Sequence, residues 1–598
     1  MLRRTLLVTV LILLAVLAAG CKPDPIPGQI PGPTFPPPTK PADIAAPVEA
    51  PSDTPAEPAQ PTEPAAQPTE PVSQRTINDR TIAPPDLVQD STDLVSGSGN
   101  CAACHSGLLN NGEDLSFDTL WRASMMAHSA KDPYWQATVS TETEEFPELT
   151  EVIADKCASC HMPLARFDAT ANGETPLIVG DGYLNPTNQL HDLALDGISC
   201  TSCHQIMPDN FGQMDSYSGH YLIDELNRAF GDRVAYGPFQ VPNGMSQMMS
   251  AASGYQAVQS EHITQGDLCG TCHNLYTPYL DSAGEVAGEF PEQTIHLEWQ
   301  NSVFATGSCV DCHMPRVANV PISNLRNAPQ PYLAKHTFAG ANAFMLRLLD
   351  ANAAETGITA TSEQMQAAIG RIVDNTSSLS NTAIKMGDVT LKDGLLTADV
   401  TVSNNNGHKR PAGFPSRRIW IHMWVTDGAG EVVFESGAVD ERGYIQGNDN
   451  DADAALYEPH YQVIDSPDQV QIYEAIMHTT ENEVTTTLLL AAGYLKDNRL
   501  LPSGFPLDNP PADIAPHGAV TEDPDFVGGR DTVRYVIEVG DAAGPFTLNF
   551  ELLYQTIGYR WAENLRGYGT VESDQFFSYY DESDRTPVLL GITQHYQE

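Results

Sequence analysis

The chain has 598 residues, with 77 Asp and Glu against 31 Lys and Arg, a formal charge of −46. That length implies more than one domain. The acidic balance excludes recognition of nucleic acid through its phosphates, because no basic face survives it, and it suits basic protein partners.

Residues 1–21, MLRRTLLVTVLILLAVLAAGC, open with Arg3 and Arg4, continue as an apolar run of signal-peptide length and end on small residues. The run is too short and too early for a spanning helix of the mature chain. Its end, Leu17-Ala18-Ala19-Gly20-Cys21, resembles a bacterial lipobox. The resemblance implies a lipidated Cys21 and an exported chain held at the cell envelope by a lipid anchor. Lys22 stands where an aspartate retains some lipoproteins at the inner membrane, so the outer membrane is the expected address. Residues 22–94 read as a disordered Pro-rich tether with repeated PTEP units and little to bury.

Residues 95–340 carry one string five times. NCAACHSG supplies Cys101, Cys104 and His105; KCASCHMP supplies Cys157, Cys160 and His161; SCTSCHQI supplies Cys200, Cys203 and His204. LCGTCHNL supplies Cys269, Cys272 and His273, and GSCVDCHMP supplies Cys309, Cys312 and His313. Zinc needs four ligands, usually from two Cys pairs, and does not demand a histidine directly after the second cysteine. Covalent haem does: two thiols form thioethers and the next residue reaches the iron, which is the c-type attachment string. Ten of the eleven cysteines are used this way and Cys21 is the other, so none remains for a structural disulfide. Five haems c are expected, with His105, His161, His204, His273 and His313 as proximal ligands.

Each iron has a second axial face. Histidine there gives a low-potential carrier, methionine raises the potential, and an open face admits a small molecule. The distal candidates are His220, His262, His296 and His336, then His128, His191 and His408. His262 and His191 lie so close before a motif that each is expected to reach a neighbouring haem. Met162 and Met314 adjoin their own proximal histidines and are expected to pack at haem edges.

Residues 341–380 read as a helical connector of two helices. Over 381–598 the period changes to two: in RRIWIHMWVTD, Ile419, Ile421, Met423 and Val425 face one way and Trp420, His422 and Trp424 the other. This is a β-sandwich pattern, immunoglobulin-like, with a long irregular insertion at about 443–530. Asp449, Asp451 and Asp453 in GNDNDADA alternate as calcium ligands do, although the loop lacks the glycine and terminal glutamate of an EF-hand, and a solvated acidic loop competes with Ca2+. The fold class is therefore α + β and multidomain: a mainly helical and irregular pentahaem cytochrome c domain, then the sandwich.

LWRASMMAHSAKDPYWQATVSTE, GISCTSCHQI, DLCGTCHNLY and KHTFAGAN resemble bacterial multihaem c-type cytochromes, in the group related to the tetrahaem cytochrome that serves hydroxylamine oxidoreductase. GHKRPAGFPSRRIWIHMWVTDGAGEVVFESG resembles the β-domain carried by some of them. The resemblance implies electron transfer with redox partner proteins. The alternatives are an oxidoreductase with one open haem acting on a small nitrogen or sulfur compound, and a structural subunit of a cytochrome assembly.

Overall fold

The computed structural model describes residues 86–598, apart from 326–327 and 379–380. Cys21, the signal segment and most of the tether lie outside the described residues. The tether was expected to run to 94, but packing begins earlier: Leu87, Leu94 and Val95 are buried, and Ser98 donates both its N–H and its hydroxyl to Asp196. Apolar residues at 87, 94 and 95 are what end it. No described helix is long and apolar enough to cross a membrane.

The motif region is built from short helices and two-stranded pieces. Each of the five motifs ends a helix: Ser98–His105, Thr150–His161, Cys200–His204, Gly266–His273 and Cys309–His313. In a helix, positions i, i+3 and i+4 share one face, so both cysteines and the histidine of each motif point the same way. Two of these helices begin with reciprocal caps, Ser199 with Ser202 and Ser308 with Asp311. The parallel strands Arg233–Gly237 and Tyr255–Gln259 flank the helix Asn243–Ser253, and the hairpin of Asn274–Leu280 with Val286–Thr294 follows the fourth motif directly.

The segment read as two helices holds three, Ala343–Ala351, Ala353–Thr356 and Ser362–Thr376, the short second one ending at Gly357 in the left-handed region. Met345, Leu346, Leu349, Met365 and Ile369 pack in one core with Tyr134 and Phe290 from the motif region and Trp561 and Phe576 from the C-terminal part.

The C-terminal part has two main sheets. One runs Val463–Ile464, Arg530–Glu538, Leu395–Asn404, Thr382–Lys392; the other runs Val432–Ser436, Arg418–Thr426, Phe546–Gln555, Val588–Gln597, with Ile472–Tyr473 also pairing to Arg418–Thr426. Ile419, Ile421, Met423 and Val425 share a core with Val400, Val402, Val533 and Tyr535 of the facing sheet. Trp420 points the other way yet is also buried, against Ile445, Val470 and Ile472, because the insertion covers that face.

The insertion grips the motif region. Tyr494 donates to the carbonyls of Pro291 and Glu292, Val303 N–H donates to Ser503 O, and Leu501, Phe505, Ile514, Val520 and Phe526 form a small core touching Leu297. A buried charge network crosses the same boundary. Lys409 Nζ lies 2.6 Å from Asp497, Arg499 pairs with both Asp497 and Glu298, and the Lys409 N–H donates to Glu298. All four side chains are almost wholly buried.

Candidate functional site

One connected, predominantly apolar cavity of about 1770 Å³ is lined by residues of all five motifs. The ten motif cysteines all line it, and neighbouring motifs approach one another through their sulfurs. The sulfur of Cys101 interacts with that of Cys200, Cys160 with Cys272, and Cys269 with Cys309. Cys203 is close enough to influence Cys269 and Cys272. The motifs thus form one continuous array whose spatial neighbours are first with third, third with fourth, second with fourth, and fourth with fifth.

Whether the residues fit haem iron is decided by the imidazoles. His105 Nδ1 donates to Ile322 O at 2.6 Å, His161 to Ser129 O at 2.9 Å, His204 to Tyr236 O at 2.6 Å and His313 to Ala339 O at 2.7 Å. A carbonyl only accepts, so each Nδ1 carries the proton and each Nε2 keeps its lone pair. A ring fixed through one nitrogen with the other left bare is how proteins present histidine to a metal. Burial favours the neutral form of three motif histidines: it pushes His161 down to about 4 and lowers His105 and His204. His273 is pushed down to about 4 by burial, with His313 and Arg417 adding to the effect.

Two distal candidates lie parallel to motif histidines. The His204 and His336 rings have centroids 6.4 Å apart and planes 9° apart; His313 and His408 have centroids 6.4 Å apart and planes 17° apart. An imidazole centroid lies ~1.1 Å from its ligating nitrogen and a metal–nitrogen bond is ~2 Å, so two imidazoles on opposite sides of one metal have centroids ~6.3 Å apart. The distal rings are fixed as the proximal ones are: His336 Nδ1 donates to Ala334 O and His408 Nδ1 to Lys409 O.

No protein-family model and no curated protein matches the chain. Among solved structures it is similar to a penta-heme cytochrome c552 from Thermochromatium tepidum, 16% identical, covering 84% of this chain and 99% of that one, with a TM-score of 0.44.

The other distal candidates separate by their nitrogens. His128 and His296 are buried with neither ring nitrogen in a hydrogen bond. Such groups are costly to bury without a partner. His296 lies in the cavity wall against Gly270 of the fourth motif, where a Cβ would sit 2.8 Å from the ring, and its Nε2 is 3.4 Å from Asp267. His191 keeps a bare Nε2, its Nδ1 donating to Tyr183 O, but it lies outside the cavity wall. Two further candidates are placed differently. His262 uses both nitrogens, Nε2 toward Ile206 O at 2.9 Å and Nδ1 toward the Ser260 hydroxyl at 2.6 Å, so it offers no lone pair to iron. His220 is exposed and also outside the wall. Met314 lines the cavity, whereas Met162 is buried in the apolar core beside the second motif.

The calcium expectation is also corrected. Both carboxylate oxygens of buried Asp451 pair with Arg418, at 2.7 and 2.9 Å, and one also accepts the Ile445 N–H. That leaves Asp449, Asp451 and Asp453 no shared centre for a cation.

Sequence reading missed three supports. Trp135 stacks on His161 at 4.4 Å with planes 3° apart. Phe117 stands edge-on between His105 and His336. Arg410, two residues after His408, lies in the cavity wall; its guanidinium donates to Thr376 O and is lowered to about 10 by burial. A buried guanidinium without a carboxylate suits the propionates of a haem c. Its signal was the basic pair in HKRPAG.

Proposed function

We propose that the chain is a pentahaem c-type cytochrome that relays electrons at the cell envelope. The observation that carries this reading is the pair of facing imidazoles, His204 with His336 and His313 with His408, set at the spacing of two axial ligands with every Nε2 bare. The ten motif cysteines would hold the five haems, and bound haem would supply reversible one-electron chemistry at iron. The protein's own part is to fix the imidazoles through backbone carbonyls, exclude water with an apolar wall, and set the sites edge to edge so that electrons pass along the array. Bis-histidine faces at the third and fifth sites are closed to small molecules.

The relation to the tetrahaem group, the immunoglobulin-like character of the sandwich, the lipid anchor at Cys21 and an outer-membrane address belong to the same reading. The net charge of −46 favours a basic redox partner.

A second reading, an oxidoreductase with one open haem, draws on a specific observation. Among the described residues no imidazole faces His105, His161 or His273 at the spacing found twice elsewhere. His296, in the cavity wall with neither ring nitrogen in a hydrogen bond, is the ring available to close such a face, whereas His128 lies outside that wall. Addition of carbon monoxide to the fully reduced protein decides between them. A carrier stays low-spin and unchanged; stoichiometric binding at one haem assigns the enzyme.

A further inference from the structure

The helix Pro133–Glu145 turns Trp135, Thr138, Val139 and Glu142 toward the cavity at the second motif. Glu142 is 6% exposed and accepts the N–H groups of Leu488 at 2.6 Å and Leu489 at 3.4 Å. Across the cavity wall lies a second carboxylate, buried Glu292 on the strand Val286–Thr294, which accepts the Thr277 hydroxyl at 2.7 Å. Both carboxylates act on Cys157, and Lys156 on the motif helix is the cation that faces Glu292.

Glu142 also belongs to a different space. A small polar cavity of about 210 Å³ lies on the outer side of the same helix, lined by Thr141, Glu145, Thr485, Thr487 and Tyr568. Glu142, Thr138 and Tyr134 line both cavities and so form the partition between them. The rim of the small cavity is exposed at Glu145 and Tyr568, whose hydroxyl donates to Glu145 at 2.8 Å. A buried carboxylate therefore faces the second motif on one side and a hydroxyl-lined path to solvent on the other.

We propose that Glu142 couples proton uptake to electron transfer at the second motif: as one electron from the redox partner enters the haem there, Glu142 takes one proton from solvent through the polar cavity, and releases it on oxidation. The proposal rests on the haem-carrying reading of Cys157, Cys160 and His161. The step balances. One electron reduces ferric to ferrous iron, one proton converts carboxylate to carboxylic acid, and the net charge around the site is unchanged. The physical cause is that loss of one positive charge at iron raises the proton affinity of a nearby carboxylate in a low-dielectric setting.

The group is poised for this. Burial raises Glu142 to about 8, against the pull of the Leu488 and Leu489 N–H groups, and Glu145 and Glu292 push the same way. The plain alternative is an anchor, in which Glu142 only holds the turn at Leu488. Gln keeps an acceptor oxygen for that turn and cannot titrate, so Glu142→Gln separates the two roles.

The test uses the haem-loaded full chain. Spectroelectrochemical titration from neutral to mildly alkaline pH should show one haem whose midpoint potential falls as pH rises. Glu142→Gln should remove that dependence and, at a pH above about 8, lower proton uptake on full reduction by up to one proton per chain. Five haems with an unchanged pH dependence in Glu142→Gln overturn the proposal alone and assign the protons elsewhere, to propionates for example. Four haems with the second motif bare overturn the underlying reading and the proposal with it. If the variant does not fold, redox-difference infrared spectra of the wild type decide: a carboxylic acid band that gains intensity on reduction supports the proposal, and its absence overturns it.

Discussion

The His313 ring, at the end of the fifth motif helix, faces the His408 ring, in a loop of the β-sandwich, at 6.4 Å and 17°. The sandwich thus supplies the second imidazole of a site whose first imidazole and two cysteines lie in the motif region. The loop is held by what comes next in sequence. Lys409 is locked by Glu298 and Asp497, and Arg410 exchanges backbone hydrogen bonds with Leu500. The fifth site therefore reports on whether the two parts of the chain are docked.

Replacing that ligand tests the assignment locally. His408→Ala should convert one haem of five to high spin and open it to carbon monoxide, leaving the others low-spin, because axial bonds are local. Magnetic circular dichroism with carbon monoxide titration checks this. His595, on the last strand and far along the chain, should be silent on the same change.

The ring planes make a second prediction. In each facing pair the two imidazoles are nearly parallel, 9° and 17° apart. Aligned rings donate into the same iron d orbital and split the pair of π orbitals strongly. The third and fifth sites should therefore give rhombic low-spin electron paramagnetic resonance signals. Perpendicular-type signals from both would contradict the pairing.

The boundary network makes a third. Burial alone would raise the Asp497 carboxyl, yet Arg499 and Lys409 hold it well below the usual carboxylate range. Asp497→Asn leaves buried cations short of a partner, and breaking a buried pair costs about 3–5 kcal/mol. A depressed carboxyl contributes stability that is present above its unfolded value of 3.8 and lost as pH falls below it. Denaturant unfolding should therefore show a large gap between wild type and variant at neutral pH that narrows in acid.

The grouping of each motif was legible in sequence because it is local: two cysteines and a histidine at i, i+3 and i+4 land on one helical face whatever the tertiary fold. The period-two strands were legible for the same reason, as with Ile419 to Val425. The distal ligands were not, because an imidazole's role depends on where its nitrogens end up. His262 lost its nitrogens to Ser260 and to a carbonyl at Ile206, and Asp451 lost its carboxylate to Arg418 on a separate strand. Neither partner is marked by spacing. The insertion at 443–530 has little periodicity, so nothing in its pattern shows that Tyr494 and Leu488 grip the motif region. Glu142 is one acidic residue among many, and only its burial between two cavities sets it apart.

Haem content tests the central claim most directly. Covalent attachment survives denaturation, so intact mass of the denatured, mature chain, with a pyridine haemochrome assay alongside, counts the haems. Five per chain are expected, with no free thiol among Cys101, Cys104, Cys157, Cys160, Cys200, Cys203, Cys269, Cys272, Cys309 and Cys312. Fewer than five, or zinc in place of haem at any motif, would contradict it.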